Sequence, residues 1–155
     1  MTIEKWVGIT VTGEGLNLVS LEFREGELPS VLEDLTWNLQ TGDRPASYNV
    51  MYERILNYLR ENCVKSVVIK ESAVSQNTRL SHLLSAELRG VVMAAASAAS
   101  SDVKTIKKSL ISRTFGQRKA DEYVSDDVFW NSSLKGSLRK GSRETALVVI
   151  ATKRR

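Results

Sequence analysis

The run Ser66-Val67-Val68-Ile69-Lys70-Glu71 closes on a carboxylate. A short β-branched run that ends in an acid, followed by a loop rich in Ser, Gln and Asn and then a long helical pattern, reads as a strand delivering Glu71 to a sheet edge. The C-terminal strand ends of α/β folds open into the crevice where ligands bind. An oxygen donor placed there is a candidate ligand for a hard divalent cation such as Mg²⁺. The first strand pattern, Trp6-Val7-Gly8-Ile9-Thr10-Val11, offers no acid where such a site would want its partner. Glu71 therefore belongs either to a working metal site or to the remains of one. The plainer alternative is an acid at a strand end, solvated or paired with Lys70 or Arg79.

Other candidate groups carry less. His82 is the only histidine and has no second His or Cys at ligand spacing, so a surface or half-buried side chain is expected rather than a zinc ligand. Cys63 follows a helix end without a histidine partner nearby, which argues against a thiol nucleophile. Thr12-Gly13-Glu14-Gly15 contains Gly-x-Gly, but it joins two strands and lacks a following Gly-Lys-Ser/Thr, so a nucleotide loop is dismissed. Phe129 and Trp130 are expected to anchor the core; exposed, they would stack on bases.

Charge points to a second kind of chemistry. Residues 1–100 hold 9 Lys/Arg against 12 Asp/Glu, whereas residues 101–155 hold 13 against 6. Lys104, Lys107, Lys108, Arg113, Arg118 and Lys119 fall in one stretch and are the candidate nucleic-acid-binding residues. A basic face of this kind neutralises phosphates and releases counterions, so DNA or RNA is the expected partner. The competing reading is a solvated basic surface.

The 155 residues suit one domain spanning 1–155, and a hydrophobic fraction of 42% with 26% charged residues is ordinary for a globular chain. No apolar run reaches the roughly 20 residues that span a bilayer, so no membrane partner is expected. The N-terminal residues lack the basic-then-apolar order of a signal peptide, and the single Cys63 excludes an internal disulfide. A cytoplasmic location is the expectation.

The elements that would position these groups follow from periodicity. Strands are expected at about Lys5–Val11, Leu16–Phe23 and Val31–Leu39, forming an antiparallel meander whose third member is half apolar. Asp34, Thr36 and Asn38 mark a partly exposed face of that strand. A helix through Tyr48, Met51, Tyr52, Ile55 and Leu59 to about Asn62 then leads to the Glu71 strand, expected beside the first strand and parallel to it. A second helix runs from about Thr78 to Ser100, a short strand covers Val103–Ile106, and helices are expected near Leu110, over about Arg118–Leu134 and over about Arg143–Lys153. The order is an α/β mixed sheet, an antiparallel three-strand meander plus parallel strands, flanked by helices.

With these residues in place, the chain resembles the RuvC-type Holliday-junction resolvases and their uncharacterised relatives in the ribonuclease H-like superfamily. Gly8-Ile9-Thr10 resembles the family's first-strand Gly-Ile-Asp, and Val68-Ile69-Lys70-Glu71 its fourth-strand motif ending in glutamate. Lys107-Lys108-Ser109-Leu110 with Gly116-Gln117-Arg118-Lys119-Ala120 is similar to the basic segment before the last motif, and Arg143–Ala151 to the closing helix. The resemblance implies acids at Thr10, Glu71, Ser142 and Thr145, of which only Glu71 is present. Glu144 lies one place out of register, a rotation of about 100° on a helix, with a longer side chain that could still reach the site. It is otherwise a first-turn acid behind Ser142 as N-cap. What the resemblance implies is a catalytic pair of Glu71 and Glu144, Glu71 as metal ligand, weakly bound Mg²⁺, a branched nucleic-acid partner and room for a homodimer. Two-metal phosphodiester hydrolysis requires several carboxylates around ions about 3.5–4 Å apart. The expected function is thus a nucleic-acid-binding protein that is non-catalytic or weakly active, the alternatives being a divalent-metal-dependent DNA endonuclease with a non-standard site and a protein-interaction scaffold.

Overall fold

A computed structural model describes residues 2–99 and 102–155. Five strands, β1 (Ile3–Val11), β2 (Gly15–Arg24), β3 (Ser30–Asn38), β4 (Ser66–Lys70) and β5 (Asp102–Ile106), form one sheet in the order β3-β2-β1-β4-β5. β1, β2 and β3 pair antiparallel, while β4 runs parallel to both β1 and β5. The meander and the neighbourhood of β1 and β4 are as the sequence predicts. β1 is central because both its faces are apolar or small, so it can be covered on both sides.

Alternation along the strands sorts the two cores. Val7, Ile9, Leu18, Val67 and Ile69 point towards α1 (Arg44–Glu61) and α2 (Leu80–Ala98), meeting Met51, Ile55, Leu59, Leu88 and Val92. Trp6, Val19, Leu21 and Val68 point to the other face, covered by α3 (Lys108–Phe115), α4 (Ala120–Val124), α5 (Asp127–Ser133) and α6 (Arg143–Arg154). α6 is the best buried of these, from Thr145 through Ala151. It lies directly on β1 because Gly8 has no side chain: a Cβ there would stand 2.3 Å from the Thr145 carbonyl oxygen and 2.6 Å from Val149 Cγ2.

Several boundaries differ from expectation. α1 begins at Arg44, since Pro45 fits the first helical turn, where its missing N–H costs nothing. α2 begins at Leu80, and its expected end at Ser100 lies outside the described residues. The helix expected over Arg118–Leu134 is two short helices. Asp126 interrupts them by accepting the Phe129 N–H at 3.1 Å as the N-cap of α5 and pairing with Arg118 at 2.9 Å. Ser142 stands at the N-cap position of α6 after a 3₁₀ turn (Lys140–Ser142) but makes no capping bond, because its hydroxyl donates to Asp34 instead. Phe129 and Trp130 are core residues, as expected: Trp130 is buried, with its indole N–H on the Tyr123 carbonyl at 2.9 Å, and Phe129 is half-buried, packed edge-on against Phe115. Among the described residues, no helix is long and apolar enough to cross a membrane.

Candidate functional site

A cleft of about 380 Å³ opens at the C-terminal ends of β1 and β4, lined among others by Thr10, Asn17, Lys70, Glu71, Arg89 and Glu144. This is where the sequence places Glu71, and Glu144 does reach it from the first turn of α6. β1 and β4 are in register from Trp6 and Ser66 to Ile9 and Ile69, so the next step along sets Thr10 beside Lys70. Strand alternation then turns Thr10 and Lys70 towards α6, as it does Gly8 and Val68, and starts Glu71 on the opposite face. The Glu71 N–H donates to the Ile106 carbonyl at 2.9 Å, which extends the parallel ladder by one bond beyond β4.

The polar groups facing α6 are already partnered. The hydroxyls of Thr10 and Thr145 share a hydrogen bond at 2.7 Å, and Thr145 is fully buried. Lys70 Nζ donates to Glu144 Oε1 at 2.9 Å, with about a quarter of each side chain exposed. Lys70 thus takes Glu144 as its ion-pair partner rather than Glu71. Glu71 is half-buried, and its carboxylate forms no ion pair among the described residues.

Two further groups, neither of them a site residue by sequence, organise the cleft and the network beside it. Arg89, buried on α2, donates through Nε to the Lys70 carbonyl at 2.9 Å and through Nη1 to Ser72 Oγ, fixing the chain on either side of Glu71. Burial pulls its guanidinium below the ordinary arginine range. Behind the cleft, Asp34 accepts from the Arg139 backbone N–H at 2.9 Å, from Arg139 Nη2 at 2.8 Å and from Ser142. Burial alone would raise the Asp34 pKa; the hydrogen bonds from Arg139 and Ser142 override it and hold the carboxyl below its usual range. Thr36 donates to Asn17 at 2.7 Å, continuing this network to the cleft. The signal for Asp34 was present in the polar alternation of β3, which marks a face turned to a partner as readily as one turned to water.

The donor set can be tested against a pair of divalent ions. Two of the four positions that the family resemblance assigns to acids, Thr10 and Thr145, carry neutral hydroxyls bonded to each other. A third, Ser142, is buried and bonded to Asp34. Among the described residues, no three His, Cys, Asp or Glu side chains are grouped so as to hold a metal. The residues present do not fit two ions. His82, exposed at the start of α2, accepts the Arg79 N–H at Nδ1, 3.0 Å away, which is a helix-end role.

The basic residues do not form one face. Lys104 stands over the Trp6 ring at 4.8 Å beside Lys153 at 5.1 Å, towards the end of the sheet away from Thr10. Lys108 pairs with Asp121 and Arg118 with Asp126, each at 2.9 Å, so their charge is largely compensated. Lys107, Arg113 and Lys119 are exposed and form no ion pair among the described residues. Lys107 follows Ile106, whose carbonyl accepts the Glu71 N–H, and so lies at the rim of the cleft.

No protein-family model matches the chain, and no curated protein matches it significantly. Solved structures do. Thermus thermophilus RuvC superposes with a TM-score of 0.76 at 17% identity, covering 97% of this chain and 95% of that one. The same protein in complex with a Holliday junction substrate gives 0.77 at 16% identity, with the same coverage. The yeast mitochondrial Holliday junction resolvase Ydc2 gives 0.70 at 12% identity, covering 97% of this chain and 79% of that one. The chain has the RuvC-like, ribonuclease H-like fold.

Proposed function

We propose that this protein is a RuvC-like nucleic-acid-binding domain whose cleft cleaves weakly or not at all. The observation that carries the reading is the Thr10–Thr145 hydroxyl pair, set where β1 and α6 meet at the strand ends. Hydroxyls do not replace the carboxylates that two-metal hydrolysis needs. Support for a nucleic-acid partner comes from the fold shared with a junction-bound protein and from the exposed cations Lys107, Arg113 and Lys119, which form no ion pair among the described residues. Phosphates bound by such cations release counterions, so association with DNA or RNA falls steeply as salt rises.

One observation favours the endonuclease alternative: Glu71 and Glu144 both line the cleft, and one or two carboxylates with water suffice for a weakly held Mg²⁺. In that case Glu71 and Glu144 are the catalytic residues, with Glu71 the better metal ligand because Glu144 is engaged by Lys70. A homodimer is supported by the outer surface of α2, where Leu80, Leu83 and Met93 are exposed.

The test is fluorescence anisotropy of a labelled four-way DNA junction and a matched duplex over a salt series, with nuclease assays in Mg²⁺ and Mn²⁺. Salt-sensitive binding without appreciable cleavage is expected. Absence of binding at low salt refutes the nucleic-acid reading. Cleavage by the wild type that Glu71→Ala abolishes refutes the weakly active one.

A further inference from the structure

We propose that Lys70 is the resident cation of the cleft: its ammonium holds the Glu144 carboxylate and keeps divalent ions out, so ligand binding there is independent of metal. The donor set does not fit a metal pair. Of the charged side chains lining the cleft, Lys70 and Arg89 oppose Glu71 and Glu144, and their formal charges cancel. A cleft without net negative charge gives a strongly hydrated divalent ion little reason to shed water.

Position matters as much as charge. Lys70 is the last residue of β4, next to Thr10 and turned to α6. Its Nζ lies 2.9 Å from Glu144 Oε1, so an ion seeking that carboxylate must displace the ammonium. The backbone beneath cannot drift, because the Lys70 carbonyl is held by Arg89 Nε at 2.9 Å. A lysine fixed at both backbone and head group is a built-in counter-ion. The divalent-independent engagement of nucleic acid rests on the function proposed above; the exclusion of metal does not.

The experiment therefore reads metal without nucleic acid. Mn²⁺ is titrated into the folded chain and the free-ion signal followed by electron paramagnetic resonance, for wild type, Lys70→Met and Lys70→Arg. Wild type and Lys70→Arg are expected to leave the signal unchanged, whereas Lys70→Met gains saturable binding at least about tenfold tighter. Adding Glu144→Gln to Lys70→Met should remove the gain. Saturable Mn²⁺ binding by the wild type overturns the proposal, as does a Lys70→Met protein that folds and binds none. Should Lys70→Met not fold, Lys70→Gln answers the same question, judged by thermal melting before titration. In parallel, anisotropy of the wild type with the four-way junction is compared in EDTA and in millimolar Mg²⁺. Affinity equal within about twofold is expected, and a tenfold gain with Mg²⁺ overturns metal independence. No junction binding in either buffer refutes the proposed function and, with it, metal-independent binding, while the Mn²⁺ result still decides metal exclusion.

Discussion

Thr10 on the first strand and Thr145 on the last helix share one hydrogen bond 2.7 Å long, although 135 residues separate them. The contact depends on Gly8, two residues before Thr10, which lets the helix backbone settle onto the strand. Neutral side chains tolerate that closeness. Two carboxylates at the same spacing would repel strongly unless a cation lay between them.

Restoring the acids should therefore couple stability to metal. Thr10→Asp with Thr145→Asp is expected to cost roughly 3 kcal/mol in EDTA, as for uncompensated buried charges. Mn²⁺ should recover much of that loss. Thermal melting with and without Mn²⁺ checks this, and Glu71→Ala should shrink the metal-dependent gain. A melting temperature that ignores Mn²⁺ in the restored protein would mean that these positions do not converge on one ion.

Gly8→Ala should be severely destabilising, by about 2–3 kcal/mol or more. The added methyl collides with the Thr145 carbonyl and the Val149 side chain, and a helix packed along its length cannot move aside without strain. Urea unfolding measures it; a midpoint within error of wild type would contradict the close packing of α6 on β1.

Asp34→Ala should cost about 1–3 kcal/mol, since it strips Ser142 and the Arg139 N–H of their acceptor. Because the folded-state pKa is held below the ordinary value, the contribution is present at neutral pH and is lost as pH falls through the folded pKa. The difference between wild type and variant in urea titrations should narrow towards acid.

Glu4 gives a sharper pH window. Hydrogen bonds from Lys65, Lys153 and Trp6 lower its pKa from 4.5 to about 2. A lowered carboxylate stabilises the fold fully above about pH 4.5 and loses that contribution as pH falls to about 2. Glu4→Gln is expected to cost about 2 kcal/mol at neutral pH, water access reducing the full linkage value, and almost nothing at the acid end. Parallel unfolding curves at both pH values would show the predicted convergence or its failure.

Among the basic residues, freedom from partners should decide effect. Lys107→Ala, Arg113→Ala and Lys119→Ala together should weaken junction binding and flatten the salt dependence, each phosphate contact contributing about 0.9 to the slope on duplex DNA. Lys104→Ala should leave the slope unchanged, since its ammonium rests on Trp6 away from the cleft. An equal effect of both changes would return the basic stretch to a single undifferentiated surface.

Much of this arrangement was legible in the chain. β1, β2 and β4 announce themselves through β-branched alternation, and Glu71 marks the strand end that opens the cleft. For Glu144 the sequence leaves a first-turn acid and a side chain long enough to reach the site as rival readings, and in the structure it lines the cleft. Lys70 was harder. The sequence presents it as a neighbour of Glu71, and only the parallel register with β1 reveals that it shares the face of Thr10. Asp34 reads as a sign of solvent because an alternating polar face looks the same whether water or Ser142 meets it. The break at Asp126 was hidden because the apolar spacing continues across it, while one side-chain cap decides where the helix restarts. Long-range partners of polar groups are set by packing, which local patterns do not encode.

The docking of α6 onto β1 has a consequence in time as well as space. β1 and the helix that completes its cleft are separated in the chain by every other element of the fold, so the strip of the sheet under α6 is covered only after α3, α4 and α5 have been made. Contacts of such sequence separation form late, after the costly closure of long loops. Until then Trp6, Val19, Leu21 and Val68 are open to any apolar surface nearby. The cleft is thus a late product of folding. A chain cut before Arg143 would leave an apolar strip beside Gly8 and Val68 where the intact fold has a cleft wall.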